Sequence, residues 1–286
     1  MFFFENKSKK NDHFFFLFFQ SKIIRFFLYL CNLFNNLQNT FFMRHTVRDY
    51  RSTPIEENLL LSLIKKASHA SNTGNMQTYS VVITRDEEQK KKLAPAHFNQ
   101  RMVTGAPVVL TFCADFNRFN KWCEARNAVP GYDNFLSFSS ALIDTCLFAE
   151  HFAVEAEKNG LGICYLGTTT YNAPQIIETL ELPKFVIPIT TITVGYPDET
   201  KPAPFLEDRL PVEAITHTEK YTDYTQNKID QYYTTKENLP HNISFVKENN
   251  KETLAQIFTD IRYPKQTSDH FSKIFIDILN QQGFKF

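Results

Sequence analysis

The sequence predicts an α+β fold, because stretches typical of strands alternate along the chain with stretches typical of helices. Residues 79–84 and 190–194 are rich in β-branched side chains, as strands are. Residues 107–113 form a continuous apolar run, which is typical of a buried central strand. Residues 135–159 form a long helical pattern that Gly160 ends. With 43% hydrophobic and 22% charged residues, the chain of 286 residues can bury one large core or two modest ones.

The helix before the first strand has a clear start signal. Thr53 and Glu56 form a capping-box pattern, and Pro54 occupies the first helical position. Apolar residues then recur on one helical face until the polar loop at residues 71–75. The three lysines at residues 90–92 are predicted to form a solvated helical face. The remaining predicted elements are a strand at 163–166, a helix at 173–180 and helical patterns at 254–261 and 271–279.

Residues 1–38 differ in composition from the rest of the chain, because phenylalanine and lysine are abundant there. A basic stretch followed by an apolar one is typical of a signal sequence or a membrane anchor. However, polar residues between Gln20 and Arg25 interrupt the apolar stretch, so no span of about 18 to 20 apolar residues exists, and no small-residue cleavage site follows. We interpret this leader as a mis-assigned upstream start in an AT-rich genome, with the true start near Met43. A poorly made membrane anchor and a partner-binding amphipathic helix are the alternatives.

Charge, cysteine content and missing motifs argue against several classes of function. The formal net charge is zero, whereas broad nucleic-acid binding needs a basic surface. The five cysteines contain no C-x-x-C pair and no zinc-ligand spacing, so no structural metal is expected, and the pattern fits a reducing compartment. We therefore predict a cytoplasmic protein without membrane association. The absence of G-x-G-x-x-G, G-x-x-x-x-G-K-[ST] and G-x-S-x-G motifs argues against a Rossmann unit, a phosphate-cradling NTPase loop and a hydrolase.

The most informative segment is residues 44–50, R-H-T-V-R-D-Y, which places two arginines, a histidine and a hydroxyl within five residues. Guanidinium groups present a planar fork of donors that suits phosphate, so the segment predicts an anion-binding site. A solvated basic segment is the alternative interpretation. Two further segments favour the binding site, namely residues 71–77 (S-N-T-G-N-M-Q) and 207–211 (E-D-R-L-P).

Together these three segments resemble the nitroreductase family of flavin enzymes. In that family an R-[RSH]-[ST]-x-R element opens the domain, an S-x-x-G-N-x-Q element follows one helix later, and R-L-P lies near the end of the flavin-binding part. Residues 96–100 and 160–167 are similar to the nitroreductase A and flavin reductase branch.

The resemblance implies an architecture. It predicts a nitroreductase-like fold with a central, mostly antiparallel sheet flanked by helices. An FMN-binding domain would span residues 39–212, and a C-terminal helical extension, residues 213–286, would wrap a partner subunit. A short helix at residues 33–42 would precede the arginine motif. The long helix at 135–159 would form the spine of a homodimer, although the sequence by itself equally allows it to belong to the core of one chain.

The resemblance also implies which residues bind FMN. Arg44, His45, Thr46 and Arg48 would hold the phosphate and the pyrimidine side of the ring, and Arg209 would reach the phosphate from the other end of the chain. The other implied contacts are Ser71, Asn75, Gln77 and Gln100, with Leu166 and Gly167 packing their backbone near the ring. Each has a simpler interpretation: His45 and Arg209 as surface residues, and Asn75 and Gln77 as loop caps. One departure is that Glu207 and Asp208 precede Arg209, where many relatives carry a basic residue, so that Arg44 and Arg48 would bear more of the phosphate affinity.

The activity implied by the resemblance is a ping-pong transfer of hydride. NADPH or NADH would reduce the flavin and leave, and a nitroaromatic, quinone or flavin acceptor would then take the electrons in the same space. Arg48 or Gln100 would stabilise the reduced ring, without any side-chain nucleophile, catalytic acid or metal. The alternatives are a flavin-binding or flavin-storage protein, a family member with a different reductive substrate, and a membrane-associated interaction protein that depends on the leader.

Overall fold

A computed structural model describes residues 44–201 and 208–285. The elements of the fold belong to one compact unit, which begins at residue 45. The interpretations of the leader and of a short helix at residues 33–42 concern residues outside the described ranges.

The centre of the fold is an antiparallel sheet of four strands in the order β1-β2-β4-β3. β2 lies in the middle of the sheet and is buried along its whole length, which confirms the predicted central strand. All three pairs of neighbouring strands are antiparallel, and this confirms the predicted α+β class and sheet type. The strands are β1 (Tyr79–Thr84), β2 (Val108–Asp115), β3 (Gly162–Leu166) and β4 (Val186–Gly195).

Helices cover both faces of this sheet. The long helical pattern that was predicted at residues 135–159 is confirmed and forms α5, and the predicted helix at 173–180 forms α6. The helices that precede β4 in the chain are α1 (Glu57–Ala67), α2 (Glu87–Leu93), α3 (Arg101–Gly105), α4 (Asn117–Glu124), α5 (Phe135–Lys158) and α6 (Ala173–Thr179).

Alternate residues of the strands point to two separate hydrophobic clusters, as the pleat of a strand requires. On one face, Phe112 of β2 packs against Phe148 and Phe152 of α5, with ring centroids 5.2 and 5.8 Å apart. On the other face, Val109 of β2 lies in a cluster with Leu166 of β3 and apolar residues of α2, α3 and α6. The sheet is therefore a middle layer between helices, and its edges and ends carry the loops.

The start of α1 differs from the prediction. The helix begins at Glu57, and no side chain caps it, so the capping box at Thr53 does not form. Ile55 is instead buried in the core at 1% exposure, and its carbonyl accepts a hydrogen bond from Arg85 at 2.8 Å. Burial of Ile55 favours extended backbone at these residues, and this outweighs the local capping preference.

The prediction of a solvated lysine face was wrong for one residue. Lys90 is buried, at 6% exposure, and its ammonium donates to the carbonyls of Thr104 and Ala106 at 3.3 and 2.8 Å. These carbonyls end α3 and lack partners within that helix, so a cation there is favourable. Lys91 and Lys92 are exposed as predicted.

The C-terminal part contains two helices that the sequence did not reveal, α7 (Gln226–Glu237) and α8 (Pro240–Glu248). The predicted pattern at 254–261 is a short helical turn followed by a π-helix, Ile257–Arg262. The pattern at 271–279 lies within α9 (Lys265–Gln281). Leu279 and Phe284 reach the core beside Phe138, so the end of the chain packs against the same unit. No helix within residues 44–201 and 208–285 is long and apolar enough to cross a membrane.

Candidate active site

The cationic segment, residues 45–50, lies against one edge of the sheet. The amide of Val47 donates to the carbonyl of Ile163 at 2.9 Å, so the segment follows the edge strand β3. Two paired glycines make this approach possible: a Cβ at Gly162 would lie 2.7 Å from the Val47 side chain, and one at Gly195 would lie 2.9 Å from the Tyr50 ring. Close packing on these glycines fixes the backbone that carries Thr46 and Arg48.

The side-chain hydroxyl of Tyr50 links the same segment to strand β4. Its hydroxyl lies 2.7 Å from the carbonyl of Val47 and 2.8 Å from the hydroxyl of Thr193. Burial raises the pKa of Tyr50 well above its ordinary value, so the phenol stays protonated and can donate. Arg48 is therefore presented by a backbone that is held on both sides.

His45 and Arg48 line a cavity of about 460 Å³ together with Arg51 and Lys201. Asp198 and Glu199 lie on the same wall, and Arg51 pairs with Glu199 at 2.6 Å. The hydroxyl and amide of Thr200 hold the pKa of Asp198 below its ordinary value, so that carboxylate stays ionised. The cavity contains four basic side chains and two acidic ones, a balance that suits an anionic group.

Two side-chain contacts bring the Gln100 and Gly167 turns to this segment. The Arg101 guanidinium donates to both carboxylate oxygens of Asp49. Arg101 follows Gln100 and Asp49 follows Arg48, so this contact links the Gln100 turn to the segment that carries Arg48. Nδ1 of His97 lies 2.9 Å from the hydroxyl of Thr168, which joins the Gln100 turn to the residue after Gly167. The backbone segments that carry Arg48, Gln100 and Gly167 are thus linked through their neighbouring residues, although the cavity at His45 and Arg48 is not lined by Gln100, Leu166 or Gly167.

His97 was not among the predicted site residues. It is fully buried, burial lowers its pKa to about 4, and the ring is therefore neutral at pH 7. Its Nε2 has no hydrogen-bond partner among the described residues. The next two residues, Phe98 and Asn99, both have φ near 53°, a region that non-glycine residues seldom adopt. The only sequence signal was the A-H-F-N-Q motif at residues 96–100, from which Gln100 was predicted as the flavin contact.

The second group of predicted residues, Ser71, Asn75 and Gln77, lies on an exposed loop that leads into β1. β1 and β3 are the opposite edges of the sheet. At about 4.8 Å between neighbouring strands, these edges are roughly 14 Å apart. One copy of the chain therefore does not bring this loop to the Arg48 side.

Arg209 lies in a different environment. It is exposed and lines an apolar cavity of about 990 Å³ between residues 208–215 and the C-terminal helices, whereas Arg48 lines the smaller cavity described above. Asp208 pairs with Lys236 of α7 at 2.6 Å. Burial opposes ionisation of Asp208, but Lys236 outweighs it and keeps the pKa of Asp208 below its ordinary value. Arg44 lies outside the unit that begins at residue 45, so its part in the site stays a prediction.

Comparison with known proteins agrees with this fold. Residues 42–196 match the model of the nitroreductase family. A protein of Bacteroides fragilis NCTC 9343, whose crystal structure is named as that of an oxidoreductase, is 54% identical with a TM-score of 0.83, over 85% of this chain and 98% of that one. An FMN reductase [NAD(P)H] of Bacillus subtilis is 29% identical over 84% of this chain and 94% of its own length. A Cr(VI) reductase of Pseudomonas sp. (strain G-1) is 32% identical over 70% of this chain and 81% of its own length. The predicted resemblance is thereby confirmed: the chain belongs to the nitroreductase family.

Proposed function

We propose that this chain is an FMN-dependent oxidoreductase that transfers hydride from NAD(P)H to nitroaromatic, quinone or flavin acceptors. The enzyme class and the use of FMN and NAD(P)H agree with the family and with the FMN reductase of B. subtilis. The observation that carries the proposal is the contact between Asp49 and Arg101, since it joins the cationic segment to the Gln100 turn.

The chemistry of the side chains fits FMN. Arg48 supplies a cation for the phosphate, His45 supplies a ring N–H donor, and the half-buried Thr46 supplies a hydroxyl. Gln100 supplies an amide for the polar edge of the ring. A Cβ at Gly167 would meet no atom within 4 Å, so open space for a flat group lies beside that backbone. When bound, FMN supplies the ring that accepts and donates hydride, while these residues bind and orient it.

We also propose that the protein is a homodimer and that the second copy completes the site. α5 exposes a row of apolar residues, with Leu136 75% and Ile143 55% exposed. An exposed apolar surface of this kind is typical of an interface between subunits. Because Arg48 and Gln77 lie at opposite edges of one sheet, a partner that presents its Gln77 loop to this Arg48 edge would unite the predicted contacts.

Subunit mixing tests the shared site. Arg48→Ala and Gln77→Ala homodimers should each bind FMN weakly, because every site lacks one contact. Each mixed dimer would retain one site with both wild-type side chains, so that unfolding, mixing and refolding the two variants should restore tight binding in a fraction of the sites. No recovery after mixing, with dimers present by light scattering, would place both residues in the same subunit's site and contradict the proposal.

The first measurement is a visible absorption spectrum of the purified chain, followed by anaerobic addition of NADPH. A flavin spectrum that bleaches is the expected result. A flavin spectrum that does not bleach with NADPH or NADH would exclude the proposed donor, and a protein that binds no FMN on reconstitution would exclude the proposed function.

We further propose that donor and acceptor occupy the same space in turn. Initial rates at several fixed acceptor concentrations should then give parallel lines in double-reciprocal plots, whereas intersecting lines would require both molecules to be bound together. The predicted cytoplasmic location stays a prediction, with which the free thiols of Cys113, Cys123, Cys146 and Cys164 agree.

A further inference from the structure

The loop that carries Asn75 and Gln77 has a demanding backbone. Gly74, Asn75 and Gln77 have φ of 55°, 54° and 54°, so three of four consecutive residues occupy the left-handed region. Glycine adopts this region freely, but a side chain as long as that of glutamine does so at a cost. Such conformations persist where surrounding contacts determine the backbone, and they are concentrated at functional sites.

One buried carboxylate holds the start and the end of this loop. Asp144 of α5 is 1% exposed, and its oxygens accept hydrogen bonds from the Thr73 amide at 2.9 and 3.1 Å. They also accept from the hydroxyls of Thr73, at 3.0 Å, and Thr78, at 3.2 Å. A buried polar group requires such donors, so the carboxylate and the loop conformation depend on each other.

An arginine from a different helix holds the loop from the other side. Arg118 of α4 donates to the carbonyl of Gln77 and to that of Tyr79, the latter at 3.2 Å. Asp115 orients this guanidinium, with 3.9 Å between Nη1 and Oδ2. Because Arg118 binds the Gln77 carbonyl, the backbone of Gln77 is held while its side chain remains exposed to solvent.

We infer that Asp144 and Arg118 are positioning residues, which hold Asn75 and Gln77 in the conformation that binds flavin. This inference rests on the proposed function. The side chains of Asn75 and Gln77 are both exposed, so they add nothing to the hydrophobic core. The contacts of Asp144 and Arg118 therefore fix the direction in which these two side-chain amides point. Asn72 also holds the loop, since its side-chain oxygen accepts a hydrogen bond from the backbone N–H of Gln77 at 3.2 Å.

The test uses Asp144→Asn, Arg118→Lys and Thr73→Val in the full-length chain. Thr73→Val removes one hydroxyl donor to Asp144 but keeps a β-branched side chain, so it addresses the same contact if Asp144→Asn fails to fold. Asp277→Asn and Arg126→Lys change exposed residues and serve as matched controls. Hydrogen exchange of the loop amides, measured without FMN, reports the conformation of the loop. Titration of FMN, followed by its fluorescence, reports the binding.

We expect faster exchange at Thr73 and Gln77 in the three variants, and a dissociation constant for FMN that rises by about tenfold, the equivalent of one lost hydrogen bond. The controls should match the wild type in both measurements. Folded variants with faster exchange but unchanged FMN affinity would overturn the inference, and so would unchanged exchange. A wild-type chain that binds no FMN would instead overturn the proposed function, and the exchange data would then still report whether Asp144 and Arg118 hold the loop.

Discussion

The Asp49 carboxylate accepts hydrogen bonds from both terminal nitrogens of the Arg101 guanidinium, with 2.8 Å between Nη2 and Oδ2. The two residues are 52 positions apart in the sequence, yet each directly follows a predicted flavin contact, Arg48 and Gln100. A two-point contact between planar groups fixes orientation as well as distance. The pair therefore determines how Arg48 and Gln100 are arranged relative to each other.

The first prediction concerns this pair. Asp49→Asn and Arg101→Gln should each weaken FMN binding, because either change frees the Gln100 turn from the Arg48 segment. The double variant should bind within about twofold of the weaker single variant, since residues in contact have non-additive effects. The dissociation constants of the four proteins, measured by flavin fluorescence, provide the cycle. Losses that simply add would mean that the two residues act separately.

The second prediction concerns the phosphate contacts. Arg48→Ala should reduce the affinity for FMN by roughly tenfold to a hundredfold, because a hydrogen bond to a charged group contributes about 1.5 to 3 kcal/mol. Arg209→Ala should reduce the affinity less, because Arg209 lines the other cavity and two acidic residues precede it. Arg126→Ala removes an exposed arginine outside both cavities and should leave the affinity unchanged. Unchanged affinity in both of the first two variants would refute the phosphate assignment.

The third prediction concerns the glycine on which Val47 rests. A methyl group at Gly162 would lie 2.7 Å from the side chain of Val47, which is buried at 5% exposure. Gly162→Ala should therefore lower the free energy of unfolding by about 1 to 3 kcal/mol, as overpacking does, and should weaken FMN binding by displacing Arg48. Gly131→Ala is the control, because an added methyl group there meets no atom within 4 Å. Denaturant melts of both variants measure the difference, and equal stabilities would contradict the packing argument.

The sequence predicted those parts of the fold whose signals are local. Strand β1 and helix α5 were found because their apolar residues and stop signals lie within the elements themselves. Helix α7 was missed because it buries no residue, so its sequence has no apolar periodicity. The start of α1 was misplaced because burial of Ile55 decides the local backbone, and burial is not visible in a capping pattern.

The site was predictable only where a motif marked it. The arginine motif, the loop at residues 71–77 and the Gln100 turn were recognised, but the residues that hold the loop and the turn were not. Asp144 contacts Thr73 over 71 positions, and His97 contacts Thr168 over 71 positions, so neither pair leaves a local pattern. A carboxylate within the apolar helix α5 was the one sign that Asp144 had a buried partner. Contacts of this kind join residues that are distant in the sequence, so they can be identified only once the fold is known.

The last prediction is a pH dependence of stability that His97 causes. Burial lowers the pKa of His97 to about 4, from an ordinary value near 6.5, so the unfolded chain takes up a proton in this range that the folded chain does not. Stability should therefore fall as the pH drops from about 6.5 to about 4, by roughly 3 kcal/mol at most, and the loss should level off below that range. Carboxylates with lowered pKa, such as Asp198, begin to lose their contribution only below about pH 5, so most of the slope that they produce lies at lower pH than that of His97. His97→Gln keeps a polar side chain near Thr168 but cannot take up the proton. Denaturant melts at several pH values should show a smaller slope for this variant between pH 4.5 and 6.5, whereas equal slopes would mean that other groups cause the acid sensitivity.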